Sequence, residues 1–339
     1  MATGRELWLA YKLRIKRRRL LWRAFRKRRE LSAVADRSAQ IRPGDILAFA
    51  TVRNEMARLP FFLDHYRKLG VDHFLVVDNA SDDGTAEFLA GQPDVSLWRS
   101  AHSYRQSRFG MDWLTWLLFR HGHGHWCLTV DADEILVYPE HDTRPLAELT
   151  AWLDRRGVPM MAALMLDLYP QGPLSGASCP TGGDPAAALP WFDAHGYSWE
   201  WQPRFRNISI RGGVRKRAFF SDRPELGPHL HKTPLIRWRR AYAYASSPHI
   251  ALPRRLNGGF DARRDLPTGV LLHSKFLEVV IDKSREEKQR RQHFTHSERY
   301  DRYYDEIIAD PDLWHPGAVR YDGWKRLEEL GLMTRGAWR

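Results

Sequence analysis

Trp126-Cys127-Leu128-Thr129-Val130-Asp131-Ala132-Asp133-Glu134-Ile135-Leu136-Val137 is the stretch on which the fold reading turns. A short apolar run delivers two carboxylates two residues apart, and a second apolar run starts at once. Such a pattern predicts a buried strand that stops at a polar turn inside the molecule rather than at a solvated loop. Outward toward the N-terminus, Asp45 to Val52 reads as another buried strand and Leu59 to Leu69 as an amphipathic helix closed by Gly70. Val71 to Val77 is the next strand, ending at Asp78-Asn79-Ala80-Ser81-Asp82-Asp83-Gly84-Thr85. A helix to Leu89, a strand over Val95 to Trp98 and a helix from about Phe109 to Arg120 follow. Short apolar runs alternating with helical stretches describe an α/β domain built on βαβ units.

Toward the C-terminus, Met160 to Leu168 reads as a strand. Residues 170 to 190, rich in Gly, Pro and Ala, read as a loop. Trp199 to Phe220 reads as a hairpin around Gly212-Gly213, and Leu235 to Trp238 and Val270 to Leu272 as further strands. The charged, Tyr-rich segment from Phe276 to about Leu330 reads as helical. The expected division is a basic helical tail over 1–40, a catalytic domain over 41–275 and a helical C-terminal region over 276–339. The nucleotide half of the catalytic domain spans about 44–135 and the acceptor half about 136–275.

The formal charge of the 339-residue chain is +12, but residues 1–30 hold twelve Lys or Arg against Glu6 and Glu30. A basic tail is therefore attached to a nearly neutral body, which argues against a nucleic-acid-binding domain as a whole. Leu7, Tyr11, Ile15, Trp22 and Phe25 share one side of a helix among the arginines, although Arg18 interrupts the stripe. An anionic membrane surface and a solvated or core-packed cationic helix are the competing readings of this segment. Two cysteines, Cys127 and Cys179, give no disulfide framework. No apolar run approaches the roughly 20 residues of a transmembrane helix, and no signal peptide is visible. The expected location is cytoplasmic, peripheral at the inner membrane face through residues 1–30.

Three predicted strands end in polar or acidic groups: Arg53-Asn54-Glu55, Asp78-Asn79 and Asp131-Ala132-Asp133-Glu134. In open α/β sheets ligands bind beyond the carboxyl ends of the strands, so these groups should share a crevice. In an extended strand Asp131 and Asp133 would lie on one face, where both could reach one hard divalent cation, Mn or Mg. An ion held there would bridge a diphosphate and take up charge on the leaving group.

Thr51-Val52-Arg53-Asn54-Glu55, Val76-Val77-Asp78-Asn79-Ala80-Ser81-Asp82-Asp83-Gly84-Thr85 and Val130-Asp131-Ala132-Asp133-Glu134, in this order and spacing, resemble the family-2-like glycosyltransferases of the GT-A superfamily. Arg211-Gly212-Gly213-Val214-Arg215, His231-Lys232-Thr233-Pro234-Leu235 and Leu271-Leu272-His273-Ser274-Lys275-Phe276 resemble its bacterial subgroup with a single cytoplasmic catalytic domain. The resemblance implies a Rossmann-related nucleotide-sugar fold with a mixed central sheet. It also implies transfer of a sugar from a nucleoside-diphosphate sugar, UDP-linked, to a hydroxyl of a glycan or glycolipid.

By the same resemblance Arg53, Asn54 and Glu55 border the base and ribose, and Asp78 accepts a hydrogen bond from one of them. Asp83, Gly84 and Thr85 shape the adjoining loop, and Arg105 or Arg108, after Tyr104, meets phosphate. Asp131, Ala132 and Asp133 face the sugar-phosphate, Asp131 and Asp133 with His273 hold the metal, and Lys275 neutralises phosphate. His231 and Lys232 are further candidates for the phosphates or acceptor. An inverting transfer needs a carboxylate base. Asp167, Glu200, Asp222 and Glu225 are available, with Asp167 preferred because it ends a strand. The chain departs from the family in lacking a clear Glu-Asp pair after the acceptor strands and the Gln-x-x-Arg-Trp motif of processive synthases. Trp191, Trp199 and Trp201 suit stacking on sugar rings.

Two alternatives remain open: a nucleotidyl or phosphoryl transferase using the same aspartates, and a nucleic-acid-binding protein acting through its tail.

Overall fold

A computed structural model describes residues 4–290 and 301–339. The chain runs α1 (Gly4–Lys27), β1 (Ser32–Ala35), β2 (Ile46–Val52), α2 (Leu59–Leu69), β3 (His73–Asp78), α3 (Thr85–Ala90), β4 (Val95–Arg99) and α4 (Met111–His121). Then come β5 (Trp126–Thr129), β6 (Glu134–Val137), α5 (Leu146–Arg155), β7 (Met160–Asp167), α6 (Pro185–Ala188), β8 (Trp191–Phe192), β9 (Ser198–Gln202) and β10 (Asn207–Arg211). The last part holds α7 (Gly213–Phe219), β11 (His231–Arg237), β12 (Ala243–Ser246), β13 (Ile250–Leu252), β14 (Gly269–His273), α8 (Val279–Arg290), α9 (Asp301–Ile308), β15 (Val319–Arg320) and α10 (Trp324–Glu329).

Nine strands form one mixed sheet in the order β1-β4-β3-β2-β5-β11-β7-β14-β6. Neighbours among β4, β3, β2 and β5 pair in parallel, as do β7 and β14. β11 enters antiparallel between β5 and β7, while β1 and β6 close the two edges antiparallel. The parallel strands β3 and β7 are buried at every position, as their unbroken apolar runs require when both sheet faces are covered.

α2 shows how sequence sets an element here. Pro60 sits in its first turn, Leu59, Phe62, Leu63, Tyr66 and Leu69 form the buried stripe, and Gly70 ends it in the left-handed region. α1 ends at Lys27, and Ser32–Ala35 joins the sheet edge beside β4.

The hairpin differs from expectation. It is β9–β10, turning between Gln202 and Asn207, and Gly212-Gly213 instead begins helix α7. A Cβ on Gly212 would lie 2.7 Å from Tyr197 Cα, so the glycine serves a close chain approach rather than a turn. The C-terminal region also carries less helix than expected: among the described residues after 308 only α10 is α-helical, and residues 291–300 lie outside the described part. Trp324, Leu327, Met333 and Trp338 join the main core, whereas α7, α8 and α9 share a second cluster around Phe219, Phe276, Tyr303 and Ile307. No helix among the described residues is long and apolar enough to cross a membrane.

Candidate functional site

The topology brings particular strand ends to one edge of the sheet. The carboxyl ends of β2, β3, β5, β7 and β14 point the same way, and antiparallel β11 and β6 contribute their amino ends there. Hence Val52, Asp78, Thr129, Asp167 and His273 meet Lys232 and Glu134 along one rim. Register sharpens this: His273 is paired with Asp167 on β7 and with Glu134 on β6. Lateral neighbours project from the same face of a sheet. A cavity of about 420 Å³ opens on this rim, bounded by the ends of β2, β5 and β14 and by α4 and α8.

The turn after β5 is not extended. The Glu134 amide donates to the Asp131 carbonyl at 3.0 Å, so Asp131 and Asp133 point to different partners instead of sharing a strand face. Lys232 donates to Asp131 Oδ2 at 3.1 Å and to Glu134, while Asp133 Oδ2 lies 3.1 Å from His273 Nε2. His273 Nδ1 is 2.6 Å from Asp167 Oδ1, and Arg215 Nε donates to Asp167 Oδ2 at 2.7 Å. A chain Arg215–Asp167–His273–Asp133 thus runs along the cavity, which Arg215, His273 and Asp133 line and buried Asp167 backs. The Ser274 amide fastens its outer end by donating to the Asp133 carbonyl at 2.8 Å.

Burial opposes the charge on Asp133, but His273, with Arg58 and Lys275, overcomes it and holds the carboxyl well below the usual carboxylate range. Burial likewise works against Asp167, which Arg215 and His273 keep low. His273 is raised, because Asp133 and Asp167 outweigh its burial. Burial, against the pull of Lys232 and helped by Asp131, pushes Glu134 up to about 7. Lys232 stays above the ordinary lysine range because Asp131 and Glu134 outweigh its own burial. Burial beside Arg215 lowers Lys275.

A second group of cations faces the same space. Arg58 donates to Glu55 at 2.8 Å and to the Ser274 carbonyl at 3.1 Å, and Lys283 of α8 donates to Glu55 at 2.5 Å. Arg53 donates to the carbonyls of Asn79 (2.9 Å) and Ala80 (3.0 Å), tying the end of β2 to the loop after β3. The Nε atoms of Arg53 and Arg58 are buried with no hydrogen-bond partner among the described residues, and both side chains line the cavity. A buried donor without an acceptor is costly, so these atoms fit an anionic ligand.

The expected site residues divide accordingly. Arg53, Asn54, Glu55, Asp131, Ala132, Asp133, His273 and Lys275 all line the cavity. Asp78 lies beneath it, fully buried, accepting from the Ser81 amide at 3.1 Å. Asp83 accepts from the amides of Met56 and Thr85, each at 3.0 Å, and Gly84 turns the loop at φ 88°, so these two shape the wall from behind. Asn54 is itself left-handed at φ 51°, and its Oδ1 accepts from the Asp82 amide at 3.0 Å.

Asp167 is buried and engaged at both oxygens. Glu200 lies exposed on the β9–β10 hairpin, and Arg105 is exposed on the turn before α4. The Arg108 guanidinium turns to Asp112 and to the carbonyls of Tyr244 and Ala245. Trp199 and Trp201 are exposed on β9.

Sequence reading did not single out Arg58 or Lys283. Arg58 carried one signal, its place three residues after Glu55 at the start of α2. Lys283 carried none, since only the packing of α8 against the rim brings it there.

No protein-family model matches this chain, and no curated protein matches it. Among solved structures it is similar to 4-diphosphocytidyl-2C-methyl-D-erythritol synthase, at 16% identity and a TM-score of 0.25. The match covers 39% of this chain and 65% of that one, and a likeness of this extent says nothing of substrate or reaction.

Proposed function

We propose that the chain is a transferase for a nucleoside-diphosphate sugar, passing the sugar to a hydroxyl of a glycan or glycolipid. The observation that carries this reading is the pairing, in one cavity, of Asp131, Asp133 and His273 with Arg53, Arg58 and Lys275, two of these cations bearing unpartnered buried donors. Acidic and imidazole groups beside a set of cations suit a diphosphate that arrives with a divalent ion.

The donor chemistry fits Mn or Mg. Among the described residues no three His, Cys, Asp or Glu side chains are grouped as a ready-made metal site. Mg in particular binds through one or two carboxylates together with substrate phosphates and water, which suits a site the protein only half supplies. Asp131, half exposed, and Asp133 would hold the ion, with His273 beside them. When bound, it supplies Lewis-acid stabilisation of the departing diphosphate. Asp167 accepts from His273 Nδ1 and so aims Nε2 at Asp133, fixing that carboxylate at the edge of the cavity. Arg53 and the loop from Asp78 to Thr85 form the wall for the nucleoside, and Arg58 and Lys275 neutralise the diphosphate.

The test is thermal stability against UDP, GDP, CDP and dTDP, each with and without Mn, for wild type, Asp133→Asn and Asp131→Asn. A ligand at a hundred times its Kd adds about 2.7 kcal/mol to the folded state. A Mn-dependent stabilisation by one nucleotide, lost in both variants, supports the reading, and folded protein that responds to none of them overturns it. Product analysis with the matching nucleotide sugar then separates sugar transfer, which releases the nucleoside diphosphate, from nucleotidyl transfer.

A further inference from the structure

α1 has two apolar faces, and the body of the protein uses only one. Leu13 and Leu20 are buried against Ala243 and Leu252, Ala24 is buried on the same face, and Arg23 is tied to Asp112 of α4 at 2.8 Å. At 100° per residue, Trp8, Tyr11 and Trp22 lie on the opposite side of the cylinder. They are 56%, 54% and 60% exposed, so three large aromatic side chains of one helix face meet no other part of the described chain closely enough to be covered.

These rings form two groups along the helix, one near its start and one near its end. Trp8 stacks on Tyr11 (centroids 5.7 Å apart) and Trp22 on Phe25 (5.6 Å); Phe25 meets Trp116 of α4 edge-on (6.0 Å), and Trp116 stacks on Phe119 (5.8 Å). Arg18, Arg19, Arg26 and Arg29 are exposed along the same helix and its end, and no acidic residue occurs between Glu6 and Glu30. The occupant of this face must therefore offer negative charge and an apolar layer together. A second copy of the chain would set like charge against like, because nearly all the net charge lies in residues 1–30. A nucleic acid offers phosphates, but a convex helix gives its bases no slot. A bilayer surface with anionic headgroups offers both layers, and indole and phenol rings settle at the boundary between them.

We propose that α1 lies on an anionic membrane surface. Trp8, Tyr11, Trp22 and Phe25 enter the headgroup boundary, with the arginines reaching back to the lipid phosphates. The face opposite stays on the protein, so docking requires no unfolding of α1. α4 presents Met111 and Leu114 to the cavity and α1 packs on α4, so the bilayer, on the far side of α1, would lie about two helix diameters, roughly 20 Å, from the site. That placement suits a lipid-linked acceptor. This last step rests on the transferase reading, whereas the docking does not.

Flotation of the full chain with phosphatidylcholine vesicles, and with vesicles that also contain phosphatidylglycerol, tests the docking. Wild type should float only with the anionic vesicles and detach as salt is raised. Trp8→Ser/Trp22→Ser should lower partitioning about tenfold or more, and Arg18→Gln/Arg19→Gln/Arg26→Gln should abolish it. Both variants should retain the wild-type melting temperature, because the altered side chains are exposed. Failure of folded wild type to float on anionic vesicles overturns the proposal. So does flotation that the tryptophan variant leaves unchanged, or tight RNA binding that needs the same tryptophans and outcompetes the vesicles. Nucleotide binding is measured separately, so a failed transferase reading and a failed docking reading are told apart.

Discussion

Lys232→Met is the substitution that most directly tests the electrostatics of the rim. The ammonium is 3% exposed between two carboxylates of different standing: Glu134, at 1% exposure, and Asp131, at 50%. Methionine keeps the length and most of the apolar stem and removes only the charge. The pair with half-exposed Asp131 is screened by water and contributes little. The loss therefore falls on Glu134, whose carboxylate is left buried without a cation, a change that costs about 3–5 kcal/mol.

The second half of the cycle isolates the cause. Glu134→Gln in the Lys232→Met background removes the stranded charge and retains an oxygen for the Asp131 amide, which now donates to Glu134 Oε2 at 3.3 Å. Stability should return to within about 1–2 kcal/mol of wild type. Urea unfolding gives both numbers, provided the slope with denaturant is the same in all three proteins. A single variant that loses less than about 1 kcal/mol, or a double variant no more stable than the single one, would refute the buried three-way contact from which the rim has been built.

Gly110→Ala should cost about 2–4 kcal/mol in the same assay, because its φ is +75° and the new Cβ would lie 2.6 Å from Thr51 Oγ1. Trp338→Ala should cost about 3–5 kcal/mol, since this ring is 1% exposed against the main core; a negligible loss would detach the C-terminus from that core. Burial lowers His65 from 6.5 to about 4, and His229 and His231 to about 4 and about 3. The unfolded chain takes up these protons first, so their contribution is complete above pH 6.5 and is lost as pH falls from 6.5 toward 4. For His65 the ceiling is about 3 kcal/mol. Melting temperature against pH should accordingly fall less steeply below pH 6.5 in His65→Gln, and an unchanged slope would contradict the assignment.

How much of this was legible in the sequence depended on whether a pattern was local. β2, β3 and β7 were legible because a strand covered on both faces must be an apolar run, and the run stops where the polar rim begins. That is why Arg53, Asp78, Asp131 and Asp133 could be expected at one crevice before any partner was known, whereas His273 was expected there only through the family resemblance. β1 was invisible for the converse reason: Ser32–Ala35 is an exposed edge strand with no alternation to mark it. On α1 the stripe of large residues pointed away from the packed face, since hydropathy follows ring size while the body is contacted through Leu13, Leu20 and Ala24. Pairings were the least legible. Lys232 reaches Glu134 only because β11 enters antiparallel between β5 and β7, and β14 brings β6 to the edge, so residues 98 apart in sequence meet at the rim. Each strand end announces that its polar group needs a partner. Which partner it finds is a property of strand order, and strand order here is set by long connections whose sequences do not encode it locally. The functional proposal therefore depends most on contacts such as Arg58–Ser274 and His273–Asp167, which join segments distant in sequence at the rim, and substitutions at those residues test it most directly.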